Sequence, residues 1–295
     1  MPQLKINNGH AKTDVSDASI IRFNELAPSW HLPHQQPGMM RWLTQWVAGP
    51  DGYVNSNPGY AALSQEMSVG LMYLDVGNRQ RGLHYHSVTE IYVILKGQVL
   101  GWDGKHEEHI AGPMDCIYIP AGVPHGVRTY GTEEVEVIWL HDQIERKGTT
   151  VYYTMEEKIT VPQTSEISVI KFNDLEPRWT GPNVKEPGHL HWLLNWVGGK
   201  QGFTNFNPEH AAPSDQIFMG LMVILPAQKQ VSKCGTSAEL YIIMRGKALV
   251  DVGNGNEELG RLDALYLPAE SPRTIRNHGD EPVYIMWIHE KPQAV

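Results

Sequence analysis

The chain repeats itself. IIRFNELAPSW at residues 20–30 returns as VIKFNDLEPRW at 169–179, and PGMMRWLTQWVAGPDGYVNSNP at 37–58 returns as PGHLHWLLNWVGGKQGFTNFNP at 187–208. Farther along, VGLMYL matches MGLMVI, EIYVILKG matches ELYIIMRG, and DCIYIPAGVP matches DALYLPAESP, while Trp139 and His141 find counterparts in Trp287 and His289. The offset stays between 148 and 150 throughout. A register held this long marks two homologous units in tandem, and 295 residues divide into two units of ordinary domain size. The expected units are residues 1–155 and 156–295, meeting in the charged and polar stretch near 147–165.

Within each repeat, short β-branched and aromatic runs (67–76, 91–100, 116–119, 135–140 and their counterparts) alternate with glycine and proline. That spacing predicts an all-β class, an antiparallel sandwich or barrel in each unit. Lys96-Gly97, residues 101–104 and Asn254-Gly255 carry turn residues. The apolar positions at 39–47 fit a helical stripe as well as a strand, and the glycines and aspartate that follow favour the strand.

Composition narrows the function classes. Lys and Arg number 24 against 33 Asp and Glu, a formal net charge of −9, and no basic cluster is present to neutralise a run of phosphates, so nucleic acid is not an expected partner. No apolar run approaches the ~20 residues of a spanning helix, and MPQLKINNGH lacks the pattern of a secretory leader. A cytoplasmic protein with no membrane partner is the expectation. The two cysteines, Cys116 and Cys234, form no CxxC pair and no disulfide framework.

Fourteen histidines are many for this length, and nine precede residue 150. His84 and His86 are two residues apart, so on a strand both side chains leave one face. Glu90 follows after a short bend, and His125 follows a Pro-x-Gly turn that can swing it back toward the other three. Three imidazoles and one carboxylate would give a divalent metal four protein ligands and leave two positions of an octahedron open for water, substrate or dioxygen.

These residues resemble the cupins. The first cupin motif, H-x-H-x(3,4)-E-x(6)-G, is met by His84, His86, Glu90 and Gly97; the second, G-D-x(3)-[IV]-P-x-G-x(2)-H-x(3)-N, is met by Asp115, Ile119, Pro120, Gly122 and His125. Met114 stands where the motif has glycine and Thr129 where it has asparagine, and neither is a ligand position. The resemblance covers most of each repeat and implies a bicupin, two tandem double-stranded β-helix (jelly-roll) barrels. It implies a single metal at His84, His86, Glu90 and His125, with Fe(II) favoured and Mn, Zn or Ni as alternatives.

The second repeat keeps Glu239 at the position of Glu90 and has Asn277 where the first has Thr129, but the histidine pair becomes KCGTS and His125 becomes Arg273. A lone Cys234 thiolate beside one carboxylate makes a poor metal site. The expectation is a degenerate second barrel in which Arg273 and Glu239 pair across the former pocket.

Around the ligands, Arg81, Tyr92 and Trp102 are the expected substrate contacts. Strand alternation turns Tyr92, Ile94, Val127 and Thr129 inward and Arg128 outward. Trp30, Trp42, Trp46 and Trp139 all recur and read as packing; His31 and His34 are candidates for the pocket mouth, and His106 and His109 for a solvated turn. Among the reactions the resemblance allows, an iron(II) dioxygenase cleaving a C–C bond in a small oxygenated or aromatic substrate comes first, with Glu90 as the transient base. A redox-neutral decarboxylase, lyase or isomerase comes second, and a small-ligand or sugar-binding barrel without catalysis third. A monomer and a homodimer both fit.

Overall fold

The structure is a computed structural model that describes residues 5–6, 17–29, 38, 41–50, 56–80, 82–145, 149–152, 165–179, 185–199, 207–253 and 255–290. Among them regular structure is almost entirely strand, with two three-residue 3-10 turns, Phe23–Glu25 and Phe172–Asp174, and no α-helix. No helix of the described residues is long and apolar enough to cross a membrane. Residues 41–48, where helix and strand competed, form the strand Arg41–Ala48.

The chain divides into two compact units, residues 27–172, and residues 1–26 together with 173–295. In the first unit one sheet runs, in spatial order, Ser168–Ile170, Cys116–Ile119, Glu90–Lys96, Val135–His141, Ser68–Leu74, Arg41–Ala48 and Ala62–Leu63. The facing sheet runs Val151–Tyr152, His84–Tyr85, His125–Tyr130, Gln98–Asp103 and Glu108–Ala111. Between them lie Met72, Tyr92, Ile94, Val127, Val135 and Val137, each at most 2% exposed. The second unit repeats the plan with Glu239–Arg245, Val283–Glu290, Ile217–Ile224 and His191–Gly199 in its large sheet and Lys229–Lys233, Pro272–Asn277, Ala248–Asp251 and Asn256–Leu259 in its small one. Two tandem jelly-roll barrels are therefore observed.

The boundaries differ from those expected, because each unit's edge is completed by a strand that lies outside its repeat. Ser19–Ile21, which opens the first repeat, pairs with Ala264–Leu267 in the second unit. Ser168–Ile170, which opens the second repeat, pairs with Cys116–Ile119 in the first. Equivalent aspartates clamp each crossing. Asp115 accepts the backbone N–H of Phe172 at 3.0 Å and the Lys171 ammonium at 2.8 Å, and Asp263 accepts that of Phe23 at 2.9 Å and the Arg22 guanidinium at 3.2 Å. The repeated F-N-[ED]-L motif is thus a clip whose strand caps an otherwise open sheet edge.

The remaining repeat motifs also have packing reasons. A Cβ on Gly70 would stand 2.5 Å from the Trp139 ring, and on Gly220 2.5 Å from that of Trp287, so each VGLM or MGLM segment needs glycine under its tryptophan. Trp46 and its counterpart Trp196 are fully buried. The turn expected at 101–104 begins later, since Gly101, Trp102 and Asp103 all lie in the strand Gln98–Asp103 and chain reversal falls at 104–105. Asn254 lies outside the described residues.

Candidate metal centre

His84 and His125 sit directly opposite one another on paired strands, and Glu90 opens the strand that faces them from the other sheet. His84, His86, Glu90 and His125 are all buried, and one donor atom from each lies within 4.8 Å of every other. The ring of His125 is held by its Nδ1, 2.9 Å from the Val123 carbonyl. Because a carbonyl only accepts, this contact puts the N–H on Nδ1 and leaves Nε2 as the lone-pair donor.

That Nε2 lies 2.7 Å from Glu90 Oε2, and the His86 Nε2 lies 3.3 Å from the same oxygen. A lone pair facing a carboxylate at such distances is repulsive unless a proton or a metal lies between. Ligands bonded at ~2.1 Å and meeting at right angles are ~3 Å apart, so these spacings fit a divalent metal. The donor set, three imidazoles and a carboxylate, suits iron, manganese, zinc or nickel.

A further layer supports it. Glu145 Oε2 lies 2.8 Å from His86 Nδ1, while its Oε1 accepts the Ser87 N–H at 3.0 Å. The Thr150 hydroxyl donates to Oε2 at 2.8 Å and that of Thr149 to Oε1 at 3.2 Å. A carboxylate behind a ligating imidazole fixes its tautomer and raises its basicity. Burial alone would push the Glu145 pKa up, but the His86 imidazole and the hydrogen bonds reverse that and hold it at about 2. Burial likewise opposes the charged form of His86, yet Glu90 and Glu145 outweigh it and lift its pKa to about 10. Glu90 is fully enclosed, and the His86, His125 and His141 imidazoles overcome its burial and keep it well below the ordinary carboxylate range.

His141 is the second residue the motifs do not reveal. Its Nε2 lies 3.5 Å from Glu90 Oε1, the oxygen that His86 and His125 leave to it, and its ring is 4.5 Å from that of His86. The repeat of Trp139/His141 as Trp287/His289 contained the signal, since a histidine recurring beside the barrel glutamate need not be packing alone. Glu145 has no such signal, lying 59 residues from its partner without a motif.

The expected substrate contacts fare differently. Arg81, His31, His34 and Trp30 lie outside the described residues. Tyr92 points inward as alternation predicts, but it is 1% exposed and its hydroxyl accepts from Gln80 Nε2 at 3.1 Å, so it is part of the wall next to His125. Trp102 does not face the site. It pairs in register with Gly126, the neighbour of His125, and side chains of adjacent residues leave opposite faces. Trp102 therefore packs with Leu83 and Leu100 on the far side of the sheet. Arg128 is exposed, and Val127 and Thr129 are buried, as alternation predicts. His109 is less solvated than its turn suggests, its Nε2 being buried 3.9 Å from Asp103 Oδ2.

In the second barrel the same position holds an ion pair. Arg273 Nη1 lies 2.6 Å from Glu239 Oε2, with side chains 6% and 4% exposed, and also donates to Cys234 Sγ at 3.3 Å. The Tyr241 hydroxyl donates to Glu239 Oε2 at 2.6 Å, and the guanidinium lies over the Tyr241 ring. Burial pushes the Cys234 pKa up to about 12, so it rests as a thiol beside the Arg273–Glu239 pair.

The Cupin domain family matches this chain twice, over residues 70–141 and 220–289. The chain is a bicupin, a member of the cupin superfamily. An uncharacterized protein of Methanocaldococcus jannaschii is 35% identical over 59 residues, covering 20% of this chain and 47% of that protein, so the match spans about half of the relative's length. Among solved structures, a mutant of Bacillus subtilis oxalate decarboxylase superposes with a TM-score of 0.60 at 16% identity, covering 97% of this chain and 79% of that one. A second structure of that enzyme, described for its Mn(II) centres, gives 0.59 at 16% with the same coverage. The Lactobacillus farciminis oxalate decarboxylase formate complex gives 0.58 at 14%, covering 96% and 88%. At these identities the likeness is one of fold.

Proposed function

We propose that the chain is a metal-dependent bicupin enzyme acting in its N-terminal barrel, and that it carries out redox-neutral chemistry on a small oxygenated acid: decarboxylation, elimination or isomerisation. The observation that carries this is the convergence of His84, His86, Glu90 and His125 on one buried point, backed by Glu145. The bicupin structures it resembles in fold are oxalate decarboxylases, one of them described by its Mn(II) centres, which moves this reading ahead of the iron(II) dioxygenase expectation and moves manganese beside iron as the metal.

A divalent metal held by these four side chains would supply Lewis acidity to a substrate oxygen. The protein's own part is proton handling. Glu90 rests as a carboxylate, so it acts first as a base, receiving a proton at Oε1 and returning it later in the sequence. His141 Nε2, beside that oxygen, is placed to take the proton onward or give it back. Tyr92, Val127 and Ile94 exclude water from the inner wall, which strengthens each electrostatic contact inside.

The test is turnover under argon of manganese- and iron-loaded protein with small hydroxy- and keto-acids, followed by NMR. Turnover without oxygen that falls at least ~100-fold in Glu90→Gln supports the reading. Turnover that stops without oxygen and consumes it stoichiometrically returns the iron(II) dioxygenase reading to first place. Metal analysis fixes the site independently: about one metal per chain in the wild type, absent from His84→Ala and His86→Ala.

A further inference from the structure

The second barrel keeps a cavity of about 540 Å³ although no metal-ligating cluster is found in it among the described residues. That volume lies in the range of sites for small organic molecules. Leu193, Phe218, Met222 and Trp287 form apolar walls, with Gln230 and Arg273 among the polar ones. Two polar atoms of its lining residues are unsatisfied. Gln230 Oε1 and Arg273 Nε are both buried without a hydrogen-bond partner. Arg273 directs Nη1 at both Glu239 and Cys234, which leaves the Nε side of the guanidinium without a protein partner among the described residues.

The first barrel shows why Gln230 is orphaned. Its counterpart there, Gln80, accepts the Val127 N–H at 3.1 Å and donates to the Tyr92 hydroxyl at 3.1 Å. In the second barrel the equivalent tyrosine, Tyr241, directs its hydroxyl to Glu239 instead, and Gln230 Nε2 turns to Ser232 at 2.8 Å. Leaving a buried acceptor and a buried cationic donor unmet is costly, and natural interiors rarely do so without a partner of some kind. The wall also holds His191 and His289, whose pKa values burial lowers from the ordinary imidazole range, so they add neutral hydrogen-bonding groups beside the Arg273–Glu239 pair. The Trp287 Nε1 is unpartnered too, but so is that of Trp139, so that feature belongs to the shared framework.

We infer that the C-terminal barrel is a metal-free binding site for a small hydroxylated carboxylic acid, whose carboxylate meets the Nε edge of Arg273 and whose hydroxyl donates to Gln230 Oε1, with its carbon body against Phe218, Met222 and Leu193. The Arg273–Glu239 pair replaces the metal as the fixed charge in the barrel, and the Nε edge of Arg273 provides the carboxylate fork.

Calorimetric titration of the full chain with lactate, malate and mandelate tests this, with phenylacetate and 1-phenyl-1,2-ethanediol as controls that lack the hydroxyl or the carboxylate. Saturable binding of at least one hydroxy acid tighter than about 1 mM is expected, unchanged in His84→Ala, at least tenfold weaker in Gln230→Leu, and lost in the neutral pair Arg273→Met/Glu239→Gln, each variant being checked for a cooperative thermal transition. Phenylacetate and the diol should bind at least tenfold more weakly than mandelate wherever mandelate binds. Binding that disappears in His84→Ala belongs to the N-terminal site and overturns the inference while leaving the proposed function standing. No saturable binding by any hydroxy acid, or binding untouched in both C-terminal variants, also overturns it.

Discussion

The two barrels answer one problem, a glutamate buried at the centre of a jelly roll, in opposite ways. Glu90 faces three imidazoles whose donor atoms converge, an arrangement that is stable only with a proton or a metal inside. Glu239 faces a guanidinium and a phenol, an arrangement that satisfies the carboxylate without a metal. The strands record the same divergence. Lys229–Lys233 pairs along its whole length with Pro272–Asn277, whereas the strand His84–Tyr85 makes one pairing with His125 and is held on its other side by Val151–Tyr152. Loss of the histidine pair goes with a longer regular strand, and retention goes with a short one that ends just before His86.

The largest effect is expected where one centre loses its charge balance. Arg273→Met alone leaves Glu239 buried without its cation and should destabilise the second barrel by about 3–5 kcal/mol, whereas Arg273→Met/Glu239→Gln should recover most of that loss. Chemical denaturation of the two variants measures it. If the single and double variants are equally stable, the pair is not the substitute for a metal that its geometry implies.

Glu145 gives a smaller effect, confined to the first barrel. Glu145→Gln should weaken metal binding about 10- to 100-fold, as loss of a carboxylate behind a ligating histidine does, with no change in the thermal transition of the metal-free protein comparable to that of Arg273→Met. The pH dependence follows from the same contact. In the metal-free protein His86 holds its proton up to about pH 10, so a metal must expel it, and affinity must rise with pH. Calorimetry near pH 7.5 in buffers of different ionisation enthalpy should therefore find proton release on metal binding, and less of it in Glu145→Gln. Proton uptake, or release unaltered by the variant, contradicts this account of the site.

How far such features are legible in a sequence depends on the range of the interaction that creates them. The convergence of His84, His86, Glu90 and His125 is legible because strand alternation places His84 and His86 on one face and a Pro-x-Gly turn returns His125, all local devices. The Arg273–Glu239 pair is legible because the repeat aligns it with a metal site. Trp102 misleads because its face is decided by its register against Gly126, which nearby residues do not disclose. The unit boundaries mislead for the same reason on a larger scale: Asp115 reaches Phe172 across 57 residues and Asp263 reaches Phe23 across 240. No composition shift announces that two clips have been exchanged.

The smallest predicted effect concerns a departure that both barrels share. Met114 has φ 70° and its counterpart Leu262 φ 68°, a left-handed backbone at the position where the second cupin motif has glycine. Both residues make the same bonds, Met114 N–H to the Ile94 carbonyl and Leu262 N–H to the Ile243 carbonyl, each at 2.7 Å, so the turn is imposed by the sheet and not by the side chain. Side chains other than glycine, asparagine and aspartate pay about 1–2 kcal/mol for that conformation, partly offset because glycine loses more freedom on folding. Met114→Gly should thus stabilise the first barrel by up to about 1 kcal/mol. Leu262→Gly should gain less or lose, because Leu262 is 2% exposed and its buried side chain contributes packing that glycine forfeits. Equal shifts in the two thermal transitions would mean that backbone strain outweighs packing at both turns; opposite shifts would mean that the barrels share a backbone here but not the reason for tolerating it.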